Sequence, residues 1–126
     1  MAAGAHDAAT YQQLAFADQQ TRHPVEAEAA LRSAIAADPA DPTGHSLLAQ
    51  MLAARGDLAG AITEQQAALH IDQKDADGWS NLGVLHAQTG QVSAARSDFE
   101  HALAIDPQHA QARGNLQRLN SENSKR

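Results

Sequence analysis

The chain has no cysteine among its 126 residues, which removes disulfides, thiol catalysis and cysteine-based metal sites from consideration. Aromatic residues make up 3% and lysine occurs twice, at Lys74 and Lys125. The seven arginines are scattered, and the formal net charge is −6. Nucleic acids and anionic membranes select for clustered Lys and Arg, so neither is expected as a partner. Apolar runs of 18 residues are lacking too, and with them membrane insertion. The opening stretch MAAGAHDAAT has neither a positively charged start nor an apolar core, unlike a secretory signal. A cytoplasmic location is the expectation, for a chain that a fragment of a longer exported protein would equally resemble.

What the sequence does have is alanine and glutamine in quantity. Both are good helix formers, and β-branched residues are scarce. An all-helical fold is expected before any pattern is read.

The pattern itself is a repeat. The stretches SAIAADPAD, AALHIDQKD and HALAIDPQH begin at 33, 67 and 101, two successive steps of 34 residues. Cut at 8–41, 42–75 and 76–109, the chain aligns without a gap. The fourth column holds Tyr11, His45 and Trp79, and the seventh holds Leu14, Leu48 and Leu82. The eighth is always small: Ala15, Ala49, Gly83. Two columns are strictly alanine, one with Ala27, Ala61 and Ala95, the other with Ala34, Ala68 and Ala102.

Within each unit the apolar spacing is helical. Trp79, Leu82, Gly83 and His86 share one face; Val92, Ala95, Phe99, Ala102 and Leu103 share another. Gly90 is suited to close the first of these helices in the left-handed conformation. Asp57 is placed to cap a second helix, Asp41 a first one, and Pro24 fits a first helical turn. Pro39 and Pro107 stop the second helices of their units. Each unit thus reads as helix–turn–helix. Strict alanine keeps neighbouring helices close, and no unit can bury its apolar face alone, so the units must stack.

This pattern resembles the tetratricopeptide repeat. The signature W-x2-L-G-x2-Y … A-x3-F … P is met by Trp79, Leu82, Gly83, Ala95, Phe99 and Pro107, with His86 in place of Tyr. The second unit is looser, with His45, Gln65 and Gln73 at the aromatic, Phe and Pro positions. The resemblance covers 8–109. It implies an all-α, right-handed α-solenoid of helix–turn–helix repeats, a single domain over 8–120. Residues 110–120 are expected as a capping helix, with Leu116 and Leu119 on the last repeat. Residues 1–7 and 121–126 are expected to be disordered.

No catalytic or metal-binding constellation emerges. Seven histidines form no H-x3-H pair, the serines lack a nucleophile context, and no phosphate-binding glycine loop exists. His45 and His86 stand in aromatic columns, so a packing role is expected; His70, His101 and His109 are expected to be solvated. Trp79 is expected in the core. The turn aspartates Asp38, Asp41, Asp72, Asp75 and Asp106 serve as caps. No cofactor, no metal and no enzymatic activity are expected.

What remains is the surface. The resemblance implies a concave groove lined by the first helices, which binds a peptide or helix of a partner protein. Carried over column by column, its candidates are Gln12, Phe16, Leu47, Gln50, Asn81, Val84, Gln88, Asn115 and Arg118. Gln13, Gln19, Gln20, Ser46, Asp77 and Ser80 share those columns. Relatives that clamp the C-terminal carboxylate of a chaperone use basic residues and Asn there. This chain has Gln12, Phe16, Leu47, Asp77 and Asn81, so no such clamp is expected. The leading expectation is therefore a non-catalytic protein-interaction module. A self-assembling scaffold, hence a homo-oligomer, and the accessory repeat domain of a larger enzyme or secretion machine are the alternatives.

Overall fold

The computed structural model describes residues 24–124. Among them are six helices and no strand: α1 (Pro24–Ala37), α2 (Thr43–Ala54), α3 (Leu58–Ile71), α4 (Ala76–Gln88), α5 (Val92–Ile105) and α6 (Ala110–Ser124). No described helix is long and apolar enough to cross a membrane. The chain divides into two compact units after Ile71, so α1–α3 belong to the first and α4–α6 to the second. The first helix expected for the 8–41 repeat, with Tyr11, Gln12, Leu14, Ala15 and Phe16, falls outside the described residues, as do residues 1–7.

The turns follow from local chemistry repeated at the sequence period. Gly56 and Gly90 adopt φ of 87° and 80°. Each lets its own N–H reach back to Ala53 or Ala87, while the next residue's N–H bonds to Leu52 or His86 at 2.8 Å. This is the paired Schellman closure, which satisfies carbonyls that a helix end otherwise leaves open. Asp57 then caps α3, its Oδ1 accepting from the N–H of Gly60 at 2.9 Å. After the second helices, Asp38, Asp72 and Asp106 each accept from the N–H two residues on, at 3.1–3.2 Å. Pro39 and Pro107 fall two residues past the ends of α1 and α5. Asp41 acts one place further out than a regular cap: Pro42 holds the cap position, and Asp41 Oδ1 accepts from the N–H of Thr43 at 2.9 Å.

The alanine columns are where the helices meet. Ala27, Ala61, Ala95 and Ala102 are fully buried, with Ala34 at 1% and Ala68 at 3% exposure. In the first unit Leu31, Leu48, Met51, Leu52 and Leu69 are buried along with them. Glu28 on α1 accepts from Arg55, at the end of α2, at 2.6 Å and from Arg32 at 3.0 Å. These two hydrogen bonds, Arg55 first, hold its carboxyl below the usual glutamate range. Gly44 gives a close approach of α2 to α1, since a Cβ there would lie 2.9 Å from Ile35 Cγ1.

In the second unit α5 packs against both α4 and α6. Ala95, Phe99, Ala102, Ala112 and Leu119 form its core, with Trp79, Val84, Val92, Leu103 and Leu116 packed against it. Phe99 lies so near α4 that a Cβ on Gly83 would stand 2.6 Å from its Cε1. The same two columns in the 42–75 repeat hold Ala49 and Gln65, a smaller side chain together with an added methyl. Trp79 is half-buried rather than enclosed. It stacks on His101 with centroids 4.4 Å apart at 13°, and its Nε1–H donates to the Gln73 carbonyl at 3.0 Å. His101 is exposed, as the sequence suggests, and its ring also stacks on Trp79.

One boundary moves. The capping helix, expected over 110–120, continues to Ser124, because Ser121, Glu122, Asn123 and Ser124 include neither Gly nor Pro to stop it. The first four residues of the expected tail are therefore helical.

The Phe99–Gly83 contact yields a test. Gly83→Ala is expected to destabilise the chain by roughly 1–3 kcal/mol through overpacking, read by chemical denaturation. In a Phe99→Gln background, where the same change reproduces the Ala49–Gln65 pair of the 42–75 repeat, it is expected to cost much less. Equal costs in both backgrounds would mean that the ring does not limit position 83.

Candidate functional site

The second unit contains a cleft of about 340 Å³ between α4 and α6, floored by α5. Val84, Ala87 and Gln88 come from α4, Val92 and Phe99 from α5, and Asn115, Arg118, Leu119 and Glu122 from α6. Its depth is apolar and its mouth carries amides and charges. That is the usual make-up of a ligand cleft, where apolar surface supplies affinity and a few polar groups set orientation.

Two devices hold α6 in place to form this wall. At its start, His109 Nε2–H donates to Asp77 Oδ1 at 2.6 Å, and His109 Nδ1 accepts from the N–H of Ala112 at 3.2 Å. Accepting at Nδ1 requires the neutral ring with its proton on Nε2. His109 therefore caps α6 and ties it to the first turn of α4. Its side chain is only 10% exposed, which corrects the solvated role expected for it. Further along, Arg96 of α5 donates to Asn120 Oδ1 at 3.3 Å. Between these points Ala112 and Leu119 are buried against Phe99.

Four of the sequence-derived groove residues meet in the cleft: Val84, Gln88, Asn115 and Arg118. Asn81 lies on α4, half-buried, outside the lining. Leu47, half-buried, and Gln50, exposed, are on α2 in the other unit. Gln12 and Phe16 lie outside the described residues. Ser80, which shares a groove column, is fully buried, and its Oγ has no hydrogen-bond partner. The sequence reading passed over Glu122 because it ended the last helix at 120. Counted from 110, Glu122 is the thirteenth residue, a column already assigned to the groove, so the signal was present.

Two histidines in aromatic columns do more than pack. His45 Nδ1 lies 2.8 Å from Glu64 Oε1, joining α2 to α3. His86 Nδ1 lies 2.6 Å from Asp98 Oδ2, joining α4 to α5, with the two residues 7% and 6% exposed. Burial pushes the Asp98 carboxyl above the usual aspartate range, and its hydrogen bond from His86 returns it only part of the way. Among the described residues no three His, Asp or Glu side chains form a metal-holding group.

The raised pKa of Asp98 sets a direction. The folded chain binds this proton more readily than the unfolded chain does. The stability it brings is complete below the ordinary aspartate value, about 3.9, and is lost as pH climbs through the raised one. Asn at 98 cannot ionise and can still accept from His86. Asp98→Asn is expected to flatten that loss in thermal melts taken from pH 3 upward, and to leave the Tm at neutral pH no lower than the parent's. A Tm well below it at neutral pH would show that the ionised Asp98 is net stabilising.

The comparisons accord with this architecture. The sequence profile described as tetratricopeptide repeat matches residues 48–120 in one form and 13–76 in another. No curated protein sequence matches. Among solved structures, the first tetratricopeptide domain of Spaghetti (RPAP3), bound to the HSP90 peptide SRMEEVD, superposes with a TM-score of 0.85 at 17% identity, covering 93% of each chain. The Arabidopsis OM64 tetratricopeptide domain gives 0.81 at 21% identity, covering 90% of this chain and 94% of that one. YrrB, described as having an unusual peptide-binding site, gives 0.79 at 22%, covering 89% of this chain and 58% of YrrB. The likeness is one of fold. With the 34-residue period, the buried alanine columns and a profile match over more than half its length, this chain belongs to the tetratricopeptide repeat family.

Proposed function

We propose that the chain is a non-catalytic interaction module and that the cleft between α4 and α6 holds a segment of a partner protein. The observation that carries this is the make-up of the cleft. Val84, Ala87 and Val92 offer apolar surface over the buried Phe99 and Leu119, while Gln88 and Asn115 stand at its mouth. Side-chain amides both donate and accept, so they can pair with the backbone of an extended segment whatever its sequence. Solved structures of the same fold that hold peptides support the reading. The exposed positions of α6 include Gln111, Arg113, Gln117 and Asn120, a wettable end surface, which favours a partner over end-to-end self-assembly.

The test uses a peptide enriched from a random display library on the whole chain. Binding is expected to shift the amide signals of Val84, Gln88, Asn115 and Arg118 in a ¹H–¹⁵N NMR spectrum. Gln88→Ala with Asn115→Ala is expected to weaken binding roughly tenfold, two hydrogen bonds at about 0.5–1.5 kcal/mol each, at unchanged Tm. Shifts confined to residues away from the cleft, or no enrichment, would contradict the reading.

The same proposal excludes a terminal-carboxylate clamp. Asp77 and Asn81 supply no cation at the clamp columns on α4, and Asp77 is engaged by His109. For the HSP90 tail peptide SRMEEVD, replacing the terminal carboxylate by an amide is expected to leave the fluorescence-polarisation titration unchanged. Loss of signal on amidation would overturn the exclusion.

A further inference from the structure

The cleft of the second unit carries one cation and one anion, Arg118 and Glu122, one turn apart on α6. They form no ion pair with each other, Arg before Glu being the weaker order for such a pair on a helix. Arg32 and Arg55 are bonded to Glu28, and Arg96 to Asn120, whereas Arg118 is bonded to none of the described residues. A guanidinium with a free fork of donors therefore stands at the edge of an apolar hollow walled by Val84, Ala87 and Val92 over the buried Phe99 and Leu119.

Resting on the function proposed above, we infer that this cleft selects a partner segment with one bulky apolar side chain and an Asp or Glu within two residues of it, seated on the Arg118 side. A volume of about 340 Å³ is at the small end for ligand clefts, so it takes one large side chain rather than the row of anchors a helix presents. The apolar side chain fills the hollow over Phe99. The acid meets the fork of Arg118, which matches a carboxylate in two parallel hydrogen bonds. An acid placed instead toward Glu122 meets repulsion. The order of charge along α6 thus fixes which way the segment runs.

The two parts differ in weight. Truncating the apolar anchor to Ala strips several methylenes from the hollow, and binding falls tenfold or more. The pair with Arg118 is exposed, and exchanging the acid for Lys weakens binding by roughly two- to fivefold at moderate salt.

Random dodecapeptides displayed on phage are selected in parallel on the whole chain and on its Arg118→Glu variant, and enriched peptides are titrated by fluorescence polarisation. The expected result is a bulky apolar residue with Asp or Glu close by in the first selection, and Lys or Arg at the same offset in the second. The Asp→Lys peptide is expected to weaken on the parent chain and tighten on the variant. Peptides that shift the Val84 and Gln88 amides but show no charge preference, or the same one in both selections, overturn this inference and leave the interaction function standing. Failure of any peptide to enrich overturns both.

Discussion

Everything in this chain depends on how near two helices can come. Where side chains are methyl groups or hydrogen, the backbones close up and larger neighbours fill the space at the sides. Ala27, Ala61, Ala95 and Ala102 are sealed from water, and Gly83 admits the Phe99 ring where even one added carbon would collide. Interiors are packed as densely as organic crystals, so such lines tolerate little change. The turns serve the same end. Glycines at positive φ and aspartates at fixed offsets deliver each helix at the angle its neighbour needs.

Much of this was legible because it recurs. A period of 34 shows in three copies which columns must be small and in two, at Gly56 and Gly90, where the chain turns. What stayed hidden depends on contacts between residues far apart in the sequence. His109 reads as a solvated residue near a unit exit, yet it caps α6 and reaches Asp77, 32 positions earlier. His86 and His45 read as aromatic substitutes, and only the structure brings Asp98 and Glu64 beside them. Ser80 sits in a groove column and is nevertheless enclosed. The end of α6 was set too early because its apolar pattern stops at Leu119 while its helical propensity does not.

The cleft shows the same division. The resemblance to the repeat family, carried over column by column, pointed to Val84, Gln88, Asn115 and Arg118, and these four line the cleft. Its floor, Phe99 with Val92, read as core, and the two roles coincide: a ring that packs α4 against α5 also closes the bottom of the cleft. The wall is supplied by α6, whose placement rests on a neutral histidine cap, a carboxylate from α4 and one arginine–asparagine bond. The residues that hold the second unit together thus also shape the cleft, and a change in that core reshapes it.

The central claim is that α4, α5 and α6 cohere through the alanine–phenylalanine core, with α6 an integral member rather than an appended helix. Native-state amide hydrogen exchange tests it most directly. The account predicts that the amides of Leu85, Phe99, Ala102 and Leu116 share one opening free energy, equal to that of unfolding the second unit. Exchange of the α6 amides at near-intrinsic rates, while α4 and α5 stay protected, would contradict it.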